Sequence, residues 1–129
     1  MQRSYVIELW TFKDPEALGV DMAQKVDLTD FEVEATDGKI GKIDEATYEV
    51  GGSYVVVDTG PWIFGKKVML PAGMIQRVDL DTQAVFVDRT KDEIKNAPEL
   101  DESRFRESNY RNEVGTYYGP GGRGHRDAP

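Results

Sequence analysis

The residues able to do chemistry in this chain are few and scattered. The one histidine, His125, lies in the glycine-rich stretch Gly119-Pro120-Gly121-Gly122-Arg123-Gly124-His125-Arg126. It has no second imidazole with which to share a metal ion or relay a proton. Cysteine is absent, which removes thiolate nucleophiles, thiolate metal sites and disulfides. Asp79 and Asp81, in Asp79-Leu80-Asp81-Thr82, offer too few oxygens for calcium or magnesium, which take about six or more. Asp and Thr are also the residues a turn requires. Asp44 and Glu45 are adjacent, and neighbours on a strand point to opposite faces, so the pair does not converge on one substrate. Gly51-Gly52 and residues 119–124 lack the strand-to-helix setting and the following Lys-Ser or Lys-Thr of a phosphate-cradling loop. No catalytic residues, no metal site and no cofactor are expected, and the chain reads as a binding protein rather than an enzyme.

The sharpest candidates for binding are Trp62, Ile63 and Phe64, followed by Lys66 and Lys67. Three large apolar side chains beside two cations have the make-up of an interface anchor with a polar rim that steers acidic partners. The same residues also suit a plug, because a small barrel seals its ends with side chains. Arg123 and Arg126, near Tyr117 and Tyr118, offer charge and stacking for RNA. The overall balance opposes this, with 24 acidic against 16 basic side chains and a net charge of −8. Such a balance repels phosphate backbones and anionic membranes, so nucleic acid is a poor default partner.

A chain of 129 residues with 39% apolar side chains is expected to form one domain with a modest core. Its first residues, Met1-Gln2-Arg3-Ser4-Tyr5-Val6-Ile7-Glu8, do not read as a signal peptide. No apolar run approaches the ~20 residues of a membrane span. A cytoplasmic protein is expected.

Residues 31–98 organise the rest. Phe31, Val33 and Ala35 alternate with Glu32 and Glu34, as a half-buried strand requires. Asp37-Gly38 supplies a tight turn. The return strand breaks alternation, and a bulge or bend at Gly41 would turn both Ile40 and Ile43 inward. Ser53-Tyr54-Val55-Val56-Val57-Asp58 is a strand with cover on both faces. Lys66 to Pro71 is a further strand, with Val68 and Leu70 inward. Residues 74–79 and 83–88 make a last hairpin around Asp79-Leu80-Asp81-Thr82. Thr90-Lys91-Asp92-Glu93 is a capping box opening a short helix that ends before Pro98. Outside this unit, Asp14-Pro15-Glu16 starts a helix that Gly19 ends. Trp10 and Phe12 are expected to fold back on the β unit. Tyr110, Val114, Tyr117 and Tyr118 recur at helical spacing, and Gly119-Pro120 ends that helix.

The central stretch resembles a PRC-barrel domain, the family typified by the cytoplasmic part of the photosynthetic reaction centre H subunit. The resemblance rests on Val33-Glu34-Ala35-Thr36-Asp37-Gly38-Lys39-Ile40-Gly41-Lys42-Ile43, on Val68-Met69-Leu70-Pro71, and on Val85-Phe86-Val87-Asp88-Arg89-Thr90 leading to Ile94 and Pro98. The whole chain is similar to short stand-alone PRC-barrel proteins of actinobacteria, which share the Gly60-Pro61-Trp62-Ile63-Phe64-Gly65 loop and a Tyr-rich C-terminal segment. The resemblance implies a small β-barrel that acts through protein contacts, and the family motif defines no catalytic residues.

The expectation is an all-β fold: a six-stranded antiparallel β-barrel over residues 31–98 with a short capping helix. Residues 1–30 form an extension packed on it, 99–118 a helical segment on the barrel or on a second subunit, and 119–129 a disordered tail. The expected function is protein binding, with an unidentified protein partner or a homodimer. A small-ligand or ion-sensing barrel and a ribosome- or RNA-associated accessory role are the alternatives.

Overall fold

The computed structural model describes residues 9–13, 15–20, 26–47, 53–60, 67–98 and 108–119. Six strands form one sheet: β1 (Glu32–Ala35), β2 (Gly38–Ala46), β3 (Tyr54–Asp58), β4 (Lys67–Pro71), β5 (Ile75–Asp79) and β6 (Ala84–Val87). Among the described residues, three short helices with described bounds accompany it: α1 (Pro15–Leu18), α2 (Lys91–Lys95) and α3 (Ser108–Tyr118). None is long and apolar enough to cross a membrane.

The strand order is β4-β3-β2-β1-β6-β5. β1 through β4 form an antiparallel meander, and β5–β6 is an antiparallel hairpin. β6 lies beside β1 in parallel, with Val33 opposite Val85. This corrects the expectation of a wholly antiparallel set. That arrangement needs a reversal at every connection, but Pro71 leads into a single 3-10 turn, Ala72–Met74, before β5. The turn is a corner, not a reversal, so β4 and β5 run in the same sense and β6 ends up parallel to β1. Among the described residues no ladder joins β4 to β5, and the sheet is open there. Both flanks of the gap hold the corner. The Ala72 amide donates to the Ser53 carbonyl ahead of β3 at 3.0 Å. The Asp88 amide, just past β6, donates to the Met74 carbonyl at 3.1 Å.

β2 is the longest strand because it carries two irregularities. Its register skips Ile40 opposite β1 and Asp44 opposite β3. An extra residue bends a strand and shifts its side-chain alternation. Ile40 and Ile43, three apart, are both buried, as the broken alternation predicts. Gly41 sits at the bend with φ +155°, and a Cβ there would lie 2.0 Å from the Asp58 carbonyl oxygen. Only glycine lets β2 approach β3 this closely.

The core is filled by Val33, Ile43, Val55, Leu70, Ile75 and Val85, none more than 1% exposed. Each such side chain contributes about 1.5–3 kcal/mol relative to exposure. β3 is buried from Tyr54 through Val57 on both faces. Leu9, Trp10, Leu18 and Leu28 join the same core from the N-terminal side. Tyr110, Val114 and Tyr118 join it from α3, along one helix face. α1 packs against β5 and α3 against β4, so the two strands flanking the gap each have a helix beside them.

α2 begins as its sequence requires. Thr90 Oγ1 accepts from the Glu93 amide at 3.1 Å, and Glu93 Oε1 accepts from the Thr90 amide at 2.9 Å. A third cap comes from across the fold, where Asp37 Oδ1 accepts from the Lys91 amide at 2.8 Å. The β1–β2 turn and the start of α2 are thereby fastened together.

Two glycine substitutions separate close approach from backbone strain. Gly41→Ala is expected to destabilise by more than about 3 kcal/mol, because Asp58 backbone has to move. Gly60 has φ +55° with open space around its Cβ position, so Gly60→Ala should cost only about 1 kcal/mol. Urea denaturation of both variants checks this, and equal midpoints would contradict the close-approach account.

Candidate binding surface

Among the described residues, two open grooves lie beside the sheet. The first lies where β2 and β3 meet, holds about 410 Å³, and is lined by Asp30, Gly41, Lys42, Ile43, Asp44, Asp58, Thr59 and Gly60. The Gly41 bend draws the end of β3 against β2. Asp30, at φ 71°, donates its amide to the Ile43 carbonyl at 2.8 Å and so joins the rim. The second bulge leaves Asp44 exposed. Asp58 Oδ1 accepts from the Gly60 amide at 2.9 Å, which fixes the exit from β3. The rim thus carries three carboxylates and one lysine, Lys42. Among the described residues no three His, Cys, Asp or Glu side chains are grouped to hold a metal ion.

Lys67, opposite Asp58 in the β3–β4 register, bonds through Nζ to Asp44 Oδ2 at 2.9 Å. It is partly buried, and this pair offsets part of its charge at the groove edge. Trp62, Ile63, Phe64 and Lys66 lie outside the described residues. Their chain neighbours Gly60 and Lys67 both stand at this end of the sheet. His125, Arg123 and Arg126 are also outside the described residues, as is the stretch 120–129 expected to be disordered.

The second groove, also about 410 Å³, lies beside the β5–β6 turn and is lined by Gly19, Val20, Arg77, Val78, Asp79, Leu80 and Asp81. Asp79 and Asp81 serve the turn. Asp79 Oδ1 accepts from the Asp81 amide at 2.9 Å and the Thr82 amide at 3.2 Å. These bonds, the Thr82 amide foremost, hold the Asp79 carboxyl below the usual aspartate range. Gln83 completes the turn at φ 54°. Arg77 lies 4.1 Å from the centroid of the Phe86 ring across the hairpin. Leu80 is 49% exposed, which marks it out among the described large apolar residues. Neither Leu80 nor the Arg77–Phe86 stack stands out in the sequence. Leu80 breaks no pattern inside its turn, and the stack depends on hairpin register.

Tyr117 and Tyr118, candidate stacking platforms for RNA by sequence, are both employed elsewhere in the structure. Tyr118 is fully buried, and burial pushes its phenol up, so it stays protonated. Tyr117 donates its hydroxyl to the Glu93 carbonyl of α2. Asp44, adjacent to Glu45 in the chain, is bonded to Lys67.

The Asp79 cap sets a pH dependence. A carboxyl whose folded pKa lies below its unfolded value stabilises the fold above the unfolded value, near 3.9, and that contribution is lost as pH falls through the folded pKa. The stability gap between wild type and Asp79→Ala is therefore expected to be full at pH 6 and to close as pH drops below about 4. Denaturation of both proteins across this range measures it; a gap independent of pH would contradict the ionic cap.

Comparison with known proteins finds no matching family model and no curated protein similar in sequence, so function has to be argued from the geometry itself.

Proposed function

We propose that this chain is a PRC-barrel-type protein-binding module of the bacterial cytoplasm, without an enzymatic reaction of its own. In this reading the open six-stranded sheet corresponds to the barrel wall, and the corner at Ala72–Met74 joins its two edge strands. The order of hairpin, strand, proline-ended strand, hairpin and capped short helix supports this reading. The observation that carries the binding function is the filled interior. Val33, Ile43, Val55, Leu70, Ile75 and Val85 occupy the space that a ligand-sensing barrel would keep open and polar. Recognition then falls to the outer surface. The candidate contact residues are Trp62, Ile63, Phe64, Lys66 and Lys67; of this stretch, Gly60 lines the acid-rimmed groove and Lys67 pairs with Asp44 on its rim. Apolar anchors supply the affinity, and the flanking charges set orientation. The occupant is a protein surface, either a different protein or a second copy of this chain.

A crosslinked pull-down from cells of the source organism, read by mass spectrometry, tests this. Wild type is compared with Trp62→Ser/Phe64→Ser, with folding verified by circular dichroism, and with Lys66→Glu as a milder variant. The expected outcome is one protein, or this chain itself, recovered with wild type, reduced with Lys66→Glu and lost with the folded double variant. Equal recovery by all three would overturn the surface. Recovery of nothing, with a monomeric sedimentation profile, would overturn the binding function.

A further inference from the structure

We infer that α3 is a weakly held cover over β4 that opens as a unit while the rest of the sheet stays folded. The first ground is its weak intrinsic helicity. α3 has 11 residues, Ser-Asn-Tyr-Arg-Asn-Glu-Val-Gly-Thr-Tyr-Tyr, with no acidic residue in its first turn and no basic residue in its last. Isolated helices shorter than about 12–15 residues are marginal even in alanine-rich chains. Here Gly115, Thr116, Val114, two asparagines and three tyrosines lower helicity further. Gly115 faces Trp10, and a Cβ there would stand 3.4 Å from Trp10 Nε1. α3 therefore forms because it docks.

The second ground is what it docks with. Beneath α3 lies a buried cation: Arg89 is 3% exposed, pairs with Asp88, and stands 5.7 Å from the Tyr118 ring centroid. Arg111 stands 5.3 Å from the Trp10 ring. Tyr110 donates its hydroxyl to the Pro98 carbonyl at 3.2 Å, and Tyr117 donates to the Glu93 carbonyl. On opening, water replaces these hydrogen bonds and rehydrates the guanidinium, which offsets part of the cost of exposing Tyr110, Val114 and Tyr118. The sheet core has no comparable compensation, since Val33, Val55, Val57, Leu70 and Val85 are fully buried aliphatics. The contrast places α3 on the weakly held side of the structure and β2–β3 on the strongly held side. Opening leaves β4, at the end of the strand order, without its helix neighbour.

Native-state hydrogen exchange on the full chain tests this. The amides of residues 112–118 should exchange together, at least about tenfold faster than the slowest amides of β2 and β3, with β4 amides not bonded to β3 following them. Tyr110→Phe/Tyr117→Phe should accelerate this group by about tenfold or more and leave the slowest β2–β3 amides unchanged. Exchange of α3 in step with β2 and β3 in the wild type would overturn the inference. So would exchange of α3 at the free-peptide rate from the first time point, since there would then be no closed state. The wild-type measurement decides by itself if the double variant does not fold.

Discussion

The architecture depends on the close passage of β2 over the end of β3 at Gly41. With the Asp58 carbonyl oxygen 2.0 Å from where a Cβ would sit, no other residue allows it. The consequences reach in three directions. The bend lets Ile40 and Ile43, three positions apart, both enter the buried core. It draws Asp58 and Thr59 beside Lys42, which makes the acid-rimmed groove. It also sets Lys42 opposite Asp58 in the β2–β3 ladder.

An open sheet has two edges to protect, and backbone groups left unpaired at an edge invite pairing with other chains. This chain handles both edges with its own flanking segments. α1 packs beside β5 and α3 beside β4. The 3-10 corner between those strands is tied to Ser53 and to Asp88. Trp10 links the two sides: its carbonyl accepts the Ser53 amide at 2.7 Å, and its indole rests against Gly115. The core is thus assembled from distant parts of the chain, with Leu18 and Tyr118, 100 positions apart, among its fully buried members. Buried alongside these apolar groups are the charge of Arg89 and the hydroxyl-to-carbonyl bonds of Tyr110 and Tyr117.

Carboxylates on this surface mostly have local duties. Asp37 and Glu93 accept backbone amides at the start of α2, Asp79 organises a turn, Asp27 accepts the Thr29 amide at 2.9 Å, and Asp44 holds Lys67. Glu32 pairs with Lys39, and that hydrogen bond raises the Lys39 pKa. An acidic chain of this kind uses its charge to shape turns and strand pairs as much as to repel anions.

Local signals were legible in the sequence because each rests on a few neighbouring residues. Alternation from Phe31 to Ala35, the Asp37-Gly38 turn, the bend at Gly41, the run Tyr54–Val57, the Thr90–Glu93 capping box and the spacing of Tyr110, Val114 and Tyr118 all obey short-range rules of geometry and hydrogen bonding. The order of six strands followed by a short helix came from the same signals. Tertiary structure decided what depends on long-range direction. Pro71-Ala72-Gly73 reads equally as a reversal or a corner. Only the pull of Ser53 on one side and Asp88 on the other makes it a corner, sets β6 parallel to β1 and leaves the sheet open between β4 and β5. The same holds for the groove at Asp30, Asp44 and Asp58. These residues are far apart along the chain, and a bulge brings them to one rim, which no spacing in the sequence encodes.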